Sequence, residues 1–357
     1  MIVVMKSSAV AEDVTRVVDR VCELGLTPHL SKGEYRTIIG AIGNKTPETQ
    51  QQLQQLPGVD EVMAITQPYK LASREFHEAD TILDIKGIRI GGPHVNVIAG
   101  PCAIESREIL FTVAKAVKDA GAAILRGGAF KPRSSPYSFS GMGEDGLKLL
   151  KEAGDEMGMP TITEVVDPRD VEVVCKYADI LQIGARNMQN FNLLLEVGKT
   201  DKPVFIKRGL AASITELLMS AEYVLSQGNH RVILCERGIR TFSEETRFTL
   251  DLSAVPVIQE KSHLPVFVDP SHAAGKRDLV PALAIASIAV GASGAIVEVH
   301  SCPDRALCDG PQAVLPDNFK KMMDQVRQVA EIVGHRVTLW GQEDAATKSQ
   351  AAGGWAT

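Results

Sequence analysis

Between residues 95 and 297 the chain returns eight times to one short pattern: an apolar run that ends in glycine or a polar residue and gives way to helix-patterned sequence. The runs are Val95-Asn96-Val97-Ile98-Ala99, Ala123-Ile124-Leu125, Thr161-Ile162-Thr163, Ile180-Leu181-Gln182-Ile183, Val204-Phe205-Ile206, Val232-Ile233-Leu234, Val266-Phe267-Val268 and Ala295-Ile296-Val297. Strands buried on both faces read as continuous apolar runs, and strands that alternate with helices pair in parallel. Eight such units over about 240 residues match the size of a (β/α)8 TIM barrel. Ser213-Ile214-Thr215-Glu216 is a capping box that starts one of the helices. Phe319, Met322, Met323, Val326, Val329 and Ile332 form an apolar stripe read as core packing.

Ahead of this rhythm, residues 1–66 alternate as β-α-β-β-α-β, the ferredoxin-like order. Strands are expected at Met1 to Met5, Leu26 to Leu30, Tyr35 to Ile42 and Val59 to Ile65. A helix over Val10 to Gly25 carries Val10, Val14, Val17, Val18, Val21 and Leu24 on one face, and a Gln-rich helix precedes the last strand. Residues 67–94 read as a linker with a short hairpin around Lys86-Gly87, 95–341 as the barrel, and 342–357 as a disordered tail of small residues.

The apolar runs are too short for a membrane span and the N-terminus lacks signal-peptide order, so a cytoplasmic location is expected. A net charge of −6 argues against a nucleic-acid surface. The six cysteines are scattered, without the spacing of a disulfide scaffold or a C-x-x-C zinc site.

Barrel active sites lie at the C-terminal ends of the strands. Cys102 follows the first run, His272 the seventh, and the eighth ends in Glu298 with Asp309 in the next loop. Those strands are neighbours once a barrel closes, so a thiol, an imidazole and two carboxylates share one arc. Each alone has an ordinary structural reading, but together they suit one divalent metal ion, with iron, zinc, cobalt and manganese all open. The other strands end in Arg126 with Lys131 and Arg133 after it, Arg186, Lys207 and Arg237. Scattered cations merely solubilise; at one mouth they ask for a ligand with several negative groups. Gly141-Met142-Gly143-Glu144-Asp145-Gly146 fits G-x-G-x-x-G, but no strand runs directly into it, so it reads as a loop entering a helix.

The stretches Ala99-Gly100-Pro101-Cys102, Leu125-Arg126-Gly127-Gly128, Lys131-Pro132-Arg133-Ser134-Ser135-Pro136, Gln182-Ile183-Gly184-Ala185-Arg186-Asn187, Cys235-Glu236-Arg237-Gly238 and Val268-Asp269-Pro270-Ser271-His272 carry a resemblance. The chain, up to about Trp340, resembles the 3-deoxy-D-arabino-heptulosonate 7-phosphate (DAHP) synthases, in the subgroup with an N-terminal ferredoxin-like domain. The resemblance implies condensation of phosphoenolpyruvate with erythrose 4-phosphate and water, the first step of the shikimate pathway. It implies metal ligands at Cys102, His272, Glu298 and Asp309, and phosphoenolpyruvate contacts at Arg126, Lys131, Arg186, Lys207 and Arg237. Erythrose 4-phosphate falls to Lys131, Pro132, Arg133, Ser134 and Asp309; the family more often has threonine where Ser134 stands. Lys131 is placed to protonate the new alkoxide and Glu164 to position the attacking water. The family also implies a homotetramer and feedback by tyrosine or phenylalanine, with His29, Ser31 and Gly33 at the effector positions. Without it, these three are turn residues and the small domain a packing module.

Two rivals stand beside this reading. The 3-deoxy-D-manno-octulosonate 8-phosphate synthases share barrel and chemistry but take arabinose 5-phosphate; their loop usually reads Lys-Ala-Asn-Arg, and Lys131-Pro132-Arg133 lacks the asparagine. The other rival is a barrel that binds metabolites without turning them over. Cys302 and Cys308 read as bystander thiols, the alternative being an oxidative pairing of one with Cys102.

Overall fold

A computed structural model of the chain describes residues 1–33, 36–43, 46–63, 68–131, 137 and 139–338. Strands β1 (Ile2–Met5), β2 (Thr27–Lys32), β3 (Thr37–Ile42) and β4 (Val59–Met63) form an antiparallel sheet in the order β2-β3-β1-β4. Alternation of side chains gives β1 two jobs. Met1, Val3 and Met5 pack with Val17 and Val21 of the helix Ala11–Glu23 and with Leu53, while Ile2 and Val4 join the core that includes Tyr69, Leu71 and Phe76. Both faces of the strand are therefore buried, which is why it reads as an unbroken apolar run.

Residues 68–77, expected as a linker, are a packed strap: Tyr69, Leu71, Ala72 and Phe76 are all buried. The amides of Leu71 and Ala72 donate to the Glu222 carboxylate at 3.0 Å each, and Arg74 Nε donates to the Gln259 carbonyl at 2.8 Å. Pro68 and the local charges suggest an exposed connection, but their partners lie about 150 residues away.

The hairpin β5 (Leu83–Ile85) and β6 (Ile88–Ile90) turns at Lys86-Gly87, both in the left-handed region at φ 52° and 85°. Leu83, Ile85, Ile88 and Ile90 cluster with inward residues of all eight barrel strands, among them Ile98, Ile162, Phe205, Phe267 and Ile296. Lys86 pairs with Asp179 and Arg231 donates to the Asp84 carbonyl, both at strand starts, so the hairpin plugs the N-terminal end of the barrel.

The barrel strands are β7 (His94–Gly100), β8 (Ile124–Arg126), β9 (Thr161–Val165), β10 (Ile180–Ile183), β11 (Val204–Lys207), β12 (Val232–Glu236), β13 (Val266–Val268) and β14 (Gly294–Glu298). Each pairs in parallel with the next, and β14 returns to β7 from Gly294↔Asn96 to Glu298↔Gly100. Every predicted run lies on one of these strands apart from Ala123, one residue before β8, and the Ser213/Glu216 capping box forms as expected. A short β15 (Arg336–Val337) adds to the start of β7. Tyr35, expected to begin the third strand, and the tail 342–357 lie outside the described residues. Among the described residues no helix is long and apolar enough to cross a membrane.

Candidate active site

With one end of the barrel plugged, the polar residues at the strand ends face the other. Gly100 closes β7 at φ 151°, where a side chain would collide with the Arg126 carbonyl; this close approach sets the turn that presents Cys102. Asp269 caps the short helix Pro270–Ala274 by accepting from the His272 amide at 3.0 Å, and that turn carries His272. Glu298 ends β14 fully buried, and Asp309 sits at φ 52°, a conformation aspartate tolerates better than most residues. One ligand atom from each of Cys102, His272, Glu298 and Asp309 lies within 4.8 Å of the others. Cys102 Sγ is 3.2 Å from Asp309 Oδ2, and His272 Nε2 is 3.2 Å from Glu298 Oε1 and 3.9 Å from Asp309 Oδ2.

These donors fit a cation. Glu298 Oε1 is buried and has no hydrogen-bond partner among the described residues. Burial pushes Glu298 up, but the positive neighbours, His272 when protonated and Arg126 always, bring it below its ordinary value. Asp309 is likewise held low against burial by His272, the Cys102 thiol and Lys131. Burial lowers His272, so the neutral ring is favoured. Asp269 Oδ2 accepts from His272 Nδ1 at 2.7 Å and from Lys207 Nζ at 2.5 Å. That bond places the proton on Nδ1 and leaves the Nε2 lone pair toward the carboxylates, the tautomer a metal ligand needs.

On the other arc the cations are close to the anions. Arg126 Nη2 is 3.2 Å from Glu298 Oε1, and Lys131 Nζ donates to Cys102 Sγ at 3.1 Å and to the Cys102 carbonyl at 3.2 Å. Yet Arg126 Nε and Nη1 and Arg237 Nη1 are buried without partners among the described residues. Arg237 lies over the Phe248 ring at 4.5 Å, and burial lowers its pKa. Arg186 is exposed in the turn after β10. Glu164 is the penultimate residue of β9, and Gly184 leaves room for its carboxylate, which any side chain there would overlap. Arg126, Lys131, Thr163, Glu164 and Gln182 line one small cavity. Pro132, Arg133 and Ser134 lie outside the described residues. His29 does not reach the mouth; its ring meets Phe76 and His230 at 5.1 and 5.2 Å, where the small domain meets the strap and barrel. Ser31 lies further along β2, opposite Ile38, and Gly33 takes a turn bond from its amide to the Arg36 carbonyl.

A family model described as the DAHP synthetase I family matches residues 77–335, and one described as the DAHP synthase ferredoxin-like domain matches residues 1–67. The chain belongs to the DAHP synthetase I family. Membership makes it an enzyme of the 3-deoxy-7-phosphoheptulonate synthase class, a transferase. A relative from Thermotoga maritima named phospho-2-dehydro-3-deoxyheptonate aldolase is 49% identical over 94% of this chain and 100% of its own length. A crystal structure of the Thermotoga maritima DAHP synthase covers 94% of this chain and 99% of its own at TM-score 0.76 and 48% identity. A 2-dehydro-3-deoxyphosphooctonate aldolase from Syntrophobacter fumaroxidans is more distant, 32% identical over 73% of this chain and 95% of its own.

Within this DAHP synthetase I barrel the structure adds residues that sequence reading gave no role. Asp269 has a local signal, its i,i+3 spacing to His272 at a helix start. Gln312 and Arg247 have none. Of the two uncertain thiols, Cys308 is buried 3.4 Å from Cys102 Sγ, whereas Cys302 is exposed. Cys308 is thus a neighbour of the site, which corrects the bystander reading for that residue. Gly141 and Gly143 lie in the loop before the helix Glu144–Met157, well past β8, as expected for a loop and not a dinucleotide turn.

Proposed function

We propose that the barrel mouth joins C3 of phosphoenolpyruvate to the aldehyde carbon of erythrose 4-phosphate. Water adds at C2, the C2–O bond to phosphate breaks, and the products are DAHP and inorganic phosphate. The observation that carries this reading is the convergence of Cys102, His272, Glu298 and Asp309 within 4.8 Å, directly against Arg126 and Lys131. Those four residues would hold one divalent ion (manganese, iron, zinc or cobalt), whose chemistry there is Lewis-acid polarisation of the aldehyde carbonyl.

Arg126, Arg186, Lys207 and Arg237 bind the phosphate and carboxylate of phosphoenolpyruvate and orient its enol carbon toward the aldehyde. Guanidinium nitrogens of Arg126 and Arg237 are buried without partners among the described residues, which supports this role, because buried donors without acceptors favour an anionic ligand. Lys131 serves both substrates. Burial opposes its charge, but Cys102, Glu164 and Glu298 outweigh burial and raise its pKa, so it is an ammonium able to give a proton to the developing alkoxide. Glu164, in the same cavity, orients the water that adds at C2. Pro132, Arg133 and Ser134 meet the aldose phosphate, together with Asp309 near its aldehyde end.

The relatives named as octulosonate enzymes keep arabinose 5-phosphate as the second reading. Phosphate release measured with each aldose decides: erythrose 4-phosphate is expected to be strongly preferred, and preference for arabinose 5-phosphate, or release with neither, contradicts the proposal. We assign the reaction to the entry of the shikimate pathway, in a homotetramer that tyrosine or phenylalanine inhibits through His29, Ser31 and Gly33. His29→Ala is then expected to weaken inhibition by those amino acids while leaving uninhibited turnover unchanged.

A further inference from the structure

We propose that Arg247 and Gln312 form a clamp that decides which oxygen of each carboxylate faces the metal, making Glu298 and Asp309 one-oxygen ligands. The inference rests on the metal reading above. Gln312 ends the short turn Gly310–Gln312 and is 2% exposed. Its Nε2 donates to Glu298 Oε2 at 2.6 Å, and its Oε1 accepts from Arg247 Nη1 at 3.1 Å. The same Nη1 donates to Asp309 Oδ1 at 3.3 Å. Arginine only donates, so the amide must turn its oxygen toward Arg247 and its nitrogen toward Glu298.

The result is a division of labour within each carboxylate. Glu298 Oε2 and Asp309 Oδ1 are tied back by the clamp. Glu298 Oε1 and Asp309 Oδ2 are the oxygens left beside His272 Nε2 and Cys102 Sγ. A carboxylate with both oxygens free can take two coordination positions; one with an oxygen engaged elsewhere takes one. Four single-atom ligands leave positions open on a divalent ion, and a site that must polarise a substrate oxygen needs them.

The clamp also bridges the two arcs. Arg247 shares the Phe248 ring with Arg237, at 5.8 and 4.5 Å. Both arginines stand in the connection between β12 and the helix Ala254–Lys261, which Ile239 and Thr249 staple across its base. Arg247 is partly solvent-exposed beside an open cavity of about 340 Å3. Gln312, fully enclosed, therefore carries the larger share of the positioning.

Neither residue is a metal ligand, so the test reads the ion's environment and not turnover alone. Co(II) affinity is measured by chelator competition, followed through the protein's own thiolate–cobalt absorption, for wild type, Gln312→Met and Arg247→Met. Loss of an outer hydrogen-bond partner of a ligand typically costs about 10- to 100-fold in metal affinity. Gln312→Met is expected in that range, with a shifted visible spectrum, and Arg247→Met at about its lower edge. Wild-type affinity and an unchanged spectrum in both variants overturn the clamp. Should Gln312→Met fail to fold, Arg247→Met decides alone, since its side chain sits on the surface. A wild-type protein that binds no Co(II) overturns the metal reading itself, which separates the two failures.

Discussion

The acidic arc at the ends of β13, β14 and β7 and the cationic arc at the ends of β8, β10, β11 and β12 share one mouth but are satisfied differently. In the acidic arc His272 is oriented by Asp269, and Glu298 and Asp309 each have one oxygen tied back, so the other oxygen of Glu298 faces the centre, beside His272 and Arg126 and without a hydrogen bond among the described residues. In the cationic arc Arg126 and Arg237 keep buried donors without partners among the described residues, and Arg186 stands in the open. The first suits a point charge a few ångströms across. The second suits a larger anion entering from solvent. The arcs also interlock, through Arg126 with Glu298, Lys131 with Cys102, and Lys207 with Asp269. Two neighbouring sets of opposite charge each lower the desolvation cost of the other.

The sharpest break between the arcs is at Cys102. Cys102→Ala should lower turnover by about 10^3-fold or more through loss of the metal, with phosphoenolpyruvate affinity in calorimetry changed only a few-fold. Arg186→Ala reverses the pattern: phosphoenolpyruvate binding weakens by about 10- to 100-fold, the loss of a charged hydrogen bond, and bound metal measured by elemental analysis is unchanged. Asp269→Asn probes the seam. It frees the His272 tautomer and leaves Lys207 short of its counter-charge, so metal affinity should fall about 10-fold and phosphoenolpyruvate binding should change with it. If it moves only one of the two, the arcs are less coupled than the ion pairs indicate.

The smallest effect on chemistry lies outside the mouth. His263 is buried under the strap; its Nε2–H donates to the Leu71 carbonyl at 2.8 Å, Nδ1 accepts from the Thr81 hydroxyl at 2.6 Å, and burial lowers its pKa from 6.5 to about 4. Between those values the unfolded chain holds a proton that the folded one does not, so stability is lost as pH falls from 6.5 toward 4. The loss is up to roughly 3 kcal/mol. His263→Gln should flatten that part of a melting-temperature profile and leave turnover at neutral pH alone.

The strand ends were legible from sequence because a barrel buries its strands on both faces and marks where each apolar run stops. Cys102, His272, Glu298 and Asp309 follow from those stops once β14 is closed on β7. The strap at 68–77 was not legible, since Glu222 and Gln259, which satisfy its backbone and Arg74, are remote in sequence. Nor was the clamp: Gln312 and Arg247 matter through the reach of their side chains, and nothing in their neighbours announces it. Spacing likewise cannot tell Cys308 from Cys302, because the turn at Pro303–Arg305 and the left-handed Asp309 decide which thiol faces inward.

The central claim is that one arc serves the metal and the other the anion, and chelation separates them without mutation. Phosphoenolpyruvate affinity and phosphate release with erythrose 4-phosphate are measured on the same protein before chelation, after it, and after a divalent metal is restored. The account predicts that the stripped protein still binds phosphoenolpyruvate, releases no phosphate, and recovers release when the metal returns. Undiminished phosphate release in excess chelator, or loss of phosphoenolpyruvate binding together with the metal, would contradict it.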